Sequence, residues 1–135
     1  MTLDHTAFLV HDIQAFPLVR FRHEAAIPGY APAWEADMQA LMRHGEAFVV
    51  VFDGARRDEA HDDRKARGLW LKRNKAALGQ VCRGLLVIEA DAGHRETRRA
   101  AMQGAIKAFG IRQEMAGSWP EAQDIARRWL AGEAD

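Results

Sequence analysis

Apolar positions along this chain fall into two patterns. Phe48 to Phe52 (FVVVF) and Cys82 to Glu89 (CRGLLVIE) are short, nearly continuous runs rich in Val and Leu, as strands covered on both faces require. Elsewhere apolar residues return every three or four positions. Trp34, Met38, Leu41 and Met42 do so in one segment, Met102, Ile106 and Phe109 in a second, and Ala122, Ile125, Ala126, Trp129 and Leu130 in a third. That spacing predicts helices with one buried stripe.

Local signals set the boundaries. Ala7 to Gln14 and Phe16 to His23 read as two short strands paired in a hairpin near Ala15-Phe16-Pro17, with Pro17 at the start of the second strand, where its missing N–H does least harm. After the turn cluster IPGYAP a helix starts with Pro32 in its first turn. Glu35 and Asp37 lie toward its positive pole, Arg43 and His44 toward its negative pole, and Gly45 closes it. A helix is predicted over Glu59–Leu78, another from near Arg95 to Phe109 with Gly110 after it, and a short strand over Ile111–Met115. Ser118-Trp119-Pro120-Glu121 opens the last helix as a capping box. The order β-β-α-β-α-β-α-β-α implies an α/β fold with a mostly parallel mixed sheet. There is no repeat, linker or low-complexity segment, so residues 1–135 are read as one domain with a core over about 6–131.

The totals exclude several classes of function. Formal net charge is +0, which gives no general attraction to nucleic acid or to an anionic membrane. The charge is unevenly spread: Arg56 to Arg83 holds nine Lys/Arg and four Asp/Glu, whereas residues 1–50 hold three and six. Cys82 is the only cysteine, so neither a disulfide framework nor a thiolate zinc site is expected, and its apolar setting predicts a buried, inert thiol. No run approaches the roughly 20 apolar residues of a membrane span, and MTLDHTAFLVHDIQ lacks the basic start of a signal peptide. The expected location is cytoplasmic.

In its element order, in the buried strand ending Phe52-Asp53-Gly54 before a long helix, in CRGLLVIE and in the closing EAQDIARRWL, the chain resembles the STAS fold. Within that fold it resembles the SpoIIAA-like proteins, named for a bacterial anti-sigma factor antagonist. The resemblance implies a partner-binding surface at the carboxyl ends of the strands, switched in the regulators by a phosphorylatable Ser or Thr at the helix start. Here that segment reads DGARRDEAHDDRKARG and contains neither. Ser118 is the only serine, and the threonines are Thr2, Thr6 and Thr97. The switch therefore has no residue to fall on.

In open α/β sheets, ligands meet the carboxyl ends of the strands. The candidate binding residues are accordingly Asp53, Gly54, Arg56, Arg57, Asp58 and His61. Asp53 is placed to cap the turn that Gly54 permits. Arg56 and Arg57 are suited to bidentate contacts with a carboxylate or phosphate. Asp53, Asp58, Glu59, His61, Asp62 and Asp63 have the chemistry of an acid–base or metal cluster, but acids at a helix start (58–63) and bases at its end (Lys72, Arg73, Lys75) are accounted for by the helix dipole. Phosphate-binding glycine loops, HExxH and GxSxG are all missing, and the tryptophans sit at packing positions. His11 and His23 face one another only if the hairpin register allows it.

The expected function is non-catalytic: binding of a partner protein or a small ligand, anionic if the arginines take part, at the strand-end surface. No cofactor, metal, nucleic acid or membrane insertion is expected, and the reading is compatible with a homodimer. The alternative is a small enzyme with an acid–base or metal site around Asp53 and His61. A tight pocket with converging polar groups below the Asp53 loop favours the enzyme, and a convex polar surface favours the binding module.

Overall fold

The computed structural model describes residues 3–53 and 59–132. Its elements are β1 (His11–Asp12), β2 (Leu18–Phe21), α1 (Ala31–His44), β3 (Phe48–Asp53), α2 (His61–Arg73), α3 (Lys75–Gly79), β4 (Cys82–Ile88), α4 (Ala92–Phe109), β5 (Gln113–Ala116) and α5 (Trp119–Leu130). The strands lie side by side in chain order, β1 antiparallel to β2 and the remaining pairs parallel. The α/β class and mostly parallel mixed sheet read from the sequence are thus present.

Parallel strands added in one direction through right-handed crossovers put their connecting helices on one face. The core has that asymmetry. Trp34, Met38 and Leu41 of α1 and Trp70 of α2 pack with Phe48 and Val50 of β3. Val49 and Val51 of β3 and Leu86 of β4 point the other way, where Ala122, Ile125, Ala126 and Trp129 of α5 cover them. Helix α5 lies so close to the sheet that a Cβ at Gly84 (φ +154°) would stand 2.4 Å from Trp129 Cζ3. Only glycine fits there.

Several boundaries differ from the sequence reading, each for a local reason. The strand expected over Ala7–Gln14 shrinks to two residues. The backbone N–H groups of Leu9, Val10 and His11 donate instead to the Asp37 carboxylate, at 3.2, 2.9 and 3.0 Å. Asp37 therefore ties α1 to the first segment instead of serving its own helix pole. The helix expected over Glu59–Leu78 begins at His61 and breaks at Asn74, whose side-chain amide and backbone N–H both donate to the Trp70 carbonyl. Helix α4 starts earlier than expected, capped by Asp91, which accepts the His94 N–H at 2.8 Å. Ser118 accepts the Glu121 N–H at 3.3 Å as read. The return bond of the box, however, goes to Glu121 Oε2 from the N–H of Gly117, one residue before the cap. No described helix is long and apolar enough to cross a membrane.

Candidate functional site

Helices α2 and α4 both run back across the sheet from the carboxyl ends of β3 and β4. Along α4, the side chains turned toward α2 and the sheet are Arg98, Ala101, Met102, Ala105 and Phe109, a helical stripe. Its two alanines are too short to reach α2. The result is a cleft of about 470 Å³ between the helices, floored by Phe21, Phe52, Leu85 and Val87. Leu85 and Val87 are consequently only half-buried, although they belong to an interior strand. The expectation that helices cover Val87 as they cover Val50 is corrected here: Val50 is 2% exposed, whereas Val87 faces open space.

The cleft is polarised along its length. At the end toward the strand starts its walls are mostly apolar, with Leu71 late in α2 and Phe109 and Ile111 just before β5, and Gln113 at the start of β5 is the polar exception. At the end toward the strand carboxyl termini they carry His23, Tyr30, Glu59, Arg64, Arg67 and Arg98. This mouth is braced by Glu59. Its carboxylate accepts the Tyr30 hydroxyl and, bidentately, Arg67 Nε and Nη2 at 2.6 and 2.7 Å. The Arg67 guanidinium also lies 5.4 Å from the Trp34 ring centroid. Burial alone would raise the Glu59 pKa, but the hydrogen bonds from Arg67 and Tyr30 outweigh it and hold the carboxyl below its ordinary value. Burial and the bond to Glu59 push the Tyr30 phenol above its own. Both groups therefore keep one protonation state through neutral pH.

The other two arginines are held loosely. Arg64 Nε is 3.8 Å from Glu59 Oε1, and Arg98 Nη1 is 3.8 Å from Glu89 Oε1. His23 stands edge-on to Phe21 at 5.5 Å, and its Nε2 is buried with no hydrogen-bond partner among the described residues.

Behind the mouth, a second carboxylate sets where Tyr30 stands. Asp63 of α2 is 4% exposed and reaches across to the start of α1. It accepts the Ala31 N–H at 3.1 Å on Oδ1 and the Gly29 N–H at 2.8 Å on Oδ2. The sequence reading assigned Asp62 and Asp63 alike to the pole of their own helix. Asp62 is exposed and fits that role, but Asp63 caps a different helix and clamps the two residues flanking Tyr30.

Of the residues picked from the sequence, Asp53 ends β3 half-buried and His61 opens α2 exposed to solvent. Neither lines the cleft, although Phe52 and Glu59 beside them do. Gly54, Arg56, Arg57 and Asp58 lie outside the described residues. His11 and His23 do not meet, because His11 pairs in register with Phe21, whose ring touches both imidazoles. His11 is buried, its Nδ1 2.9 Å from Asp37 Oδ2. Cys82 is buried as expected, and burial pushes its thiol up to about 12. Among the described residues no three His, Cys, Asp or Glu side chains gather as ligands of one ion. Tyr30 and Arg98 were not singled out from the sequence, and His23 was considered only as a partner of His11. The one available signal was the stripe 98, 101, 102, 105, 109, in which alanines stand where a packed helix carries larger side chains.

Compared with protein-family models, with curated proteins and with solved structures, the chain matches none.

Proposed function

We propose that this chain is a non-catalytic, ligand-binding domain and that its ligand lies in the cleft between α2 and α4. One observation carries the reading: two apolar side chains of an interior strand, Leu85 and Val87, are left half-covered beneath a cavity of about 470 Å³. That volume falls within the roughly 300–1,000 Å³ of small-molecule sites. Leaving such side chains uncovered forfeits part of the ~1.5–3 kcal/mol that each would contribute on full burial, and a ligand recovers it. The polar groups at the mouth support a binding role over a catalytic one. Tyr30, Glu59 and Arg67 are satisfied by one another, as a frame requires, and are not poised to exchange protons. The STAS-like element order supports the same placement, since the mouth opens toward the strand carboxyl ends.

The test is to fill the cleft. Wild-type protein should bind one equivalent of an apolar fluorescent anion such as 1,8-anilinonaphthalene sulfonate, with enhanced emission. Ala101→Trp, at a position that lines the cleft without being packed, should lose that binding at an unchanged denaturation midpoint. Equal binding by the two proteins would place the ligand site elsewhere.

A further inference from the structure

We infer that the ligand class is an amphipathic monocarboxylate, with its apolar body along Phe21, Phe52, Leu85 and Val87 and its carboxylate held at the mouth by Arg64 and Arg98. This rests on the cleft being the ligand site. The polarity gradient gives the orientation: a molecule whose two ends differ in polarity has only one way to lie between Phe109 and Arg98. Charge gives the sign. The lining side chains include three guanidinium groups against the single carboxylate of Glu59, so a cation is disfavoured. Availability selects the residues. Arg67 already has both its Nε and Nη2 on Glu59, whereas Arg64 and Arg98 each stand 3.8 Å from a carboxylate, beyond a strong charge-assisted bond.

Stoichiometry then favours one negative charge over two. Each of these arginines is already partly neutralised by Glu59 or Glu89, so together they balance about one carboxylate. Along the remaining length Gln113 is the one polar side chain among the lining residues, too few partners for the several hydroxyls of a sugar or nucleotide body.

Isothermal titration of the full chain at low salt with octanoate, hexanoate, 1-octanol and octylammonium tests this. Octanoate should bind, and more tightly than hexanoate by about tenfold, the effect of burying two more methylenes. Octanol should bind at least about tenfold more weakly, and octylammonium should not bind. Arg64→Gln and Arg98→Gln should each weaken octanoate roughly tenfold and leave octanol unchanged. Arg64 is exposed and Arg98 loosely paired, so both variants should keep the wild-type circular dichroism and denaturation midpoint. If octanol matches octanoate, or the double variant binds octanoate as the wild type does, the carboxylate assignment is wrong while the cleft remains a ligand site. If neither compound binds and Ala101→Trp leaves the fluorescent probe unaffected, the cleft reading has failed as well.

Discussion

Replacing Asp63 by alanine should destabilise the protein by about 2–4 kcal/mol. The carboxylate accepts the backbone N–H groups of Gly29 and Ala31, and Ala31 is buried. A hydrogen bond to a charged group is worth roughly 1.5–3 kcal/mol, and a negative charge at a helix start about 0.3–1 kcal/mol, more when partly buried. Gly29 is exposed, so water can replace part of its loss, which brings the sum down to the range given. With a urea m-value of about 2 kcal/mol/M, the middle of the range for a small protein, the midpoint should fall by roughly 1–2 M. Two companions sharpen the reading. Asp62→Ala, one position away and exposed, should stay within about 0.5 kcal/mol. Asp63→Asn should recover at most half the loss, because its amide nitrogen must face one of the two N–H donors. Equal midpoints for Asp62→Ala and Asp63→Ala would refute the cap across helices and restore the simpler view that both acids serve their own helix.

Three further outcomes are expected. Val50→Ala should cost roughly 1–3 kcal/mol through lost burial and a cavity, whereas Val87→Ala, facing the cleft, should cost under about 1 kcal/mol in thermal or urea melts; equal losses would show that the cleft is closed. Because the Glu59 carboxyl is held below its ordinary value of 4.5, its contribution is present above that pH and lost as pH falls through the lower, folded value. The midpoint difference between wild type and Glu59→Gln should therefore shrink on acidification below about pH 4.5, and a difference that grew instead would contradict the sign. Ser118→Ala should lose about 1 kcal/mol with the loss of its cap and leave ligand binding in the cleft intact by titration.

How much of this was legible depended on whether an element is specified by its own residues. FVVVF and GLLVI are apolar at every position, so β3 and β4 declared themselves, and the packing stripes of α1 and α5 did so by spacing. β1 was overestimated because an Asp37 carboxylate 26 residues away takes its donors, and nothing near His11 signals that. The Asn74 break is a contest between one side-chain amide and the helix ladder, which spacing does not register. The cleft was hidden for a different reason: Leu85 and Val87 have the same composition as a packed strand, and what exposes them is the smallness of Ala101 and Ala105 on another element. Asp53 and His61 were chosen as binding residues for their place at a strand end and the helix start after it. The residues that line the cleft mouth, Phe52 and Glu59, are their neighbours.

The consecutive strand order has a consequence for how the chain is made. As residues leave the ribosome, each parallel strand pairs with one already synthesised, and each connecting helix closes over the same side before the next strand arrives. Each pairing still closes a loop of roughly thirty residues or more (Leu18 with Val49, Val50 with Leu85), a slow step for parallel strands, but on this side the covering helix is at hand. The opposite side has no such help. Val49, Val51 and Leu86 stay uncovered until Ala122 to Trp129 have emerged, about seventy residues after Val51. During that interval the nascent sheet presents a bare apolar surface, the kind of intermediate that associates or is held by chaperones, and any chain arrested before α5 carries that surface permanently.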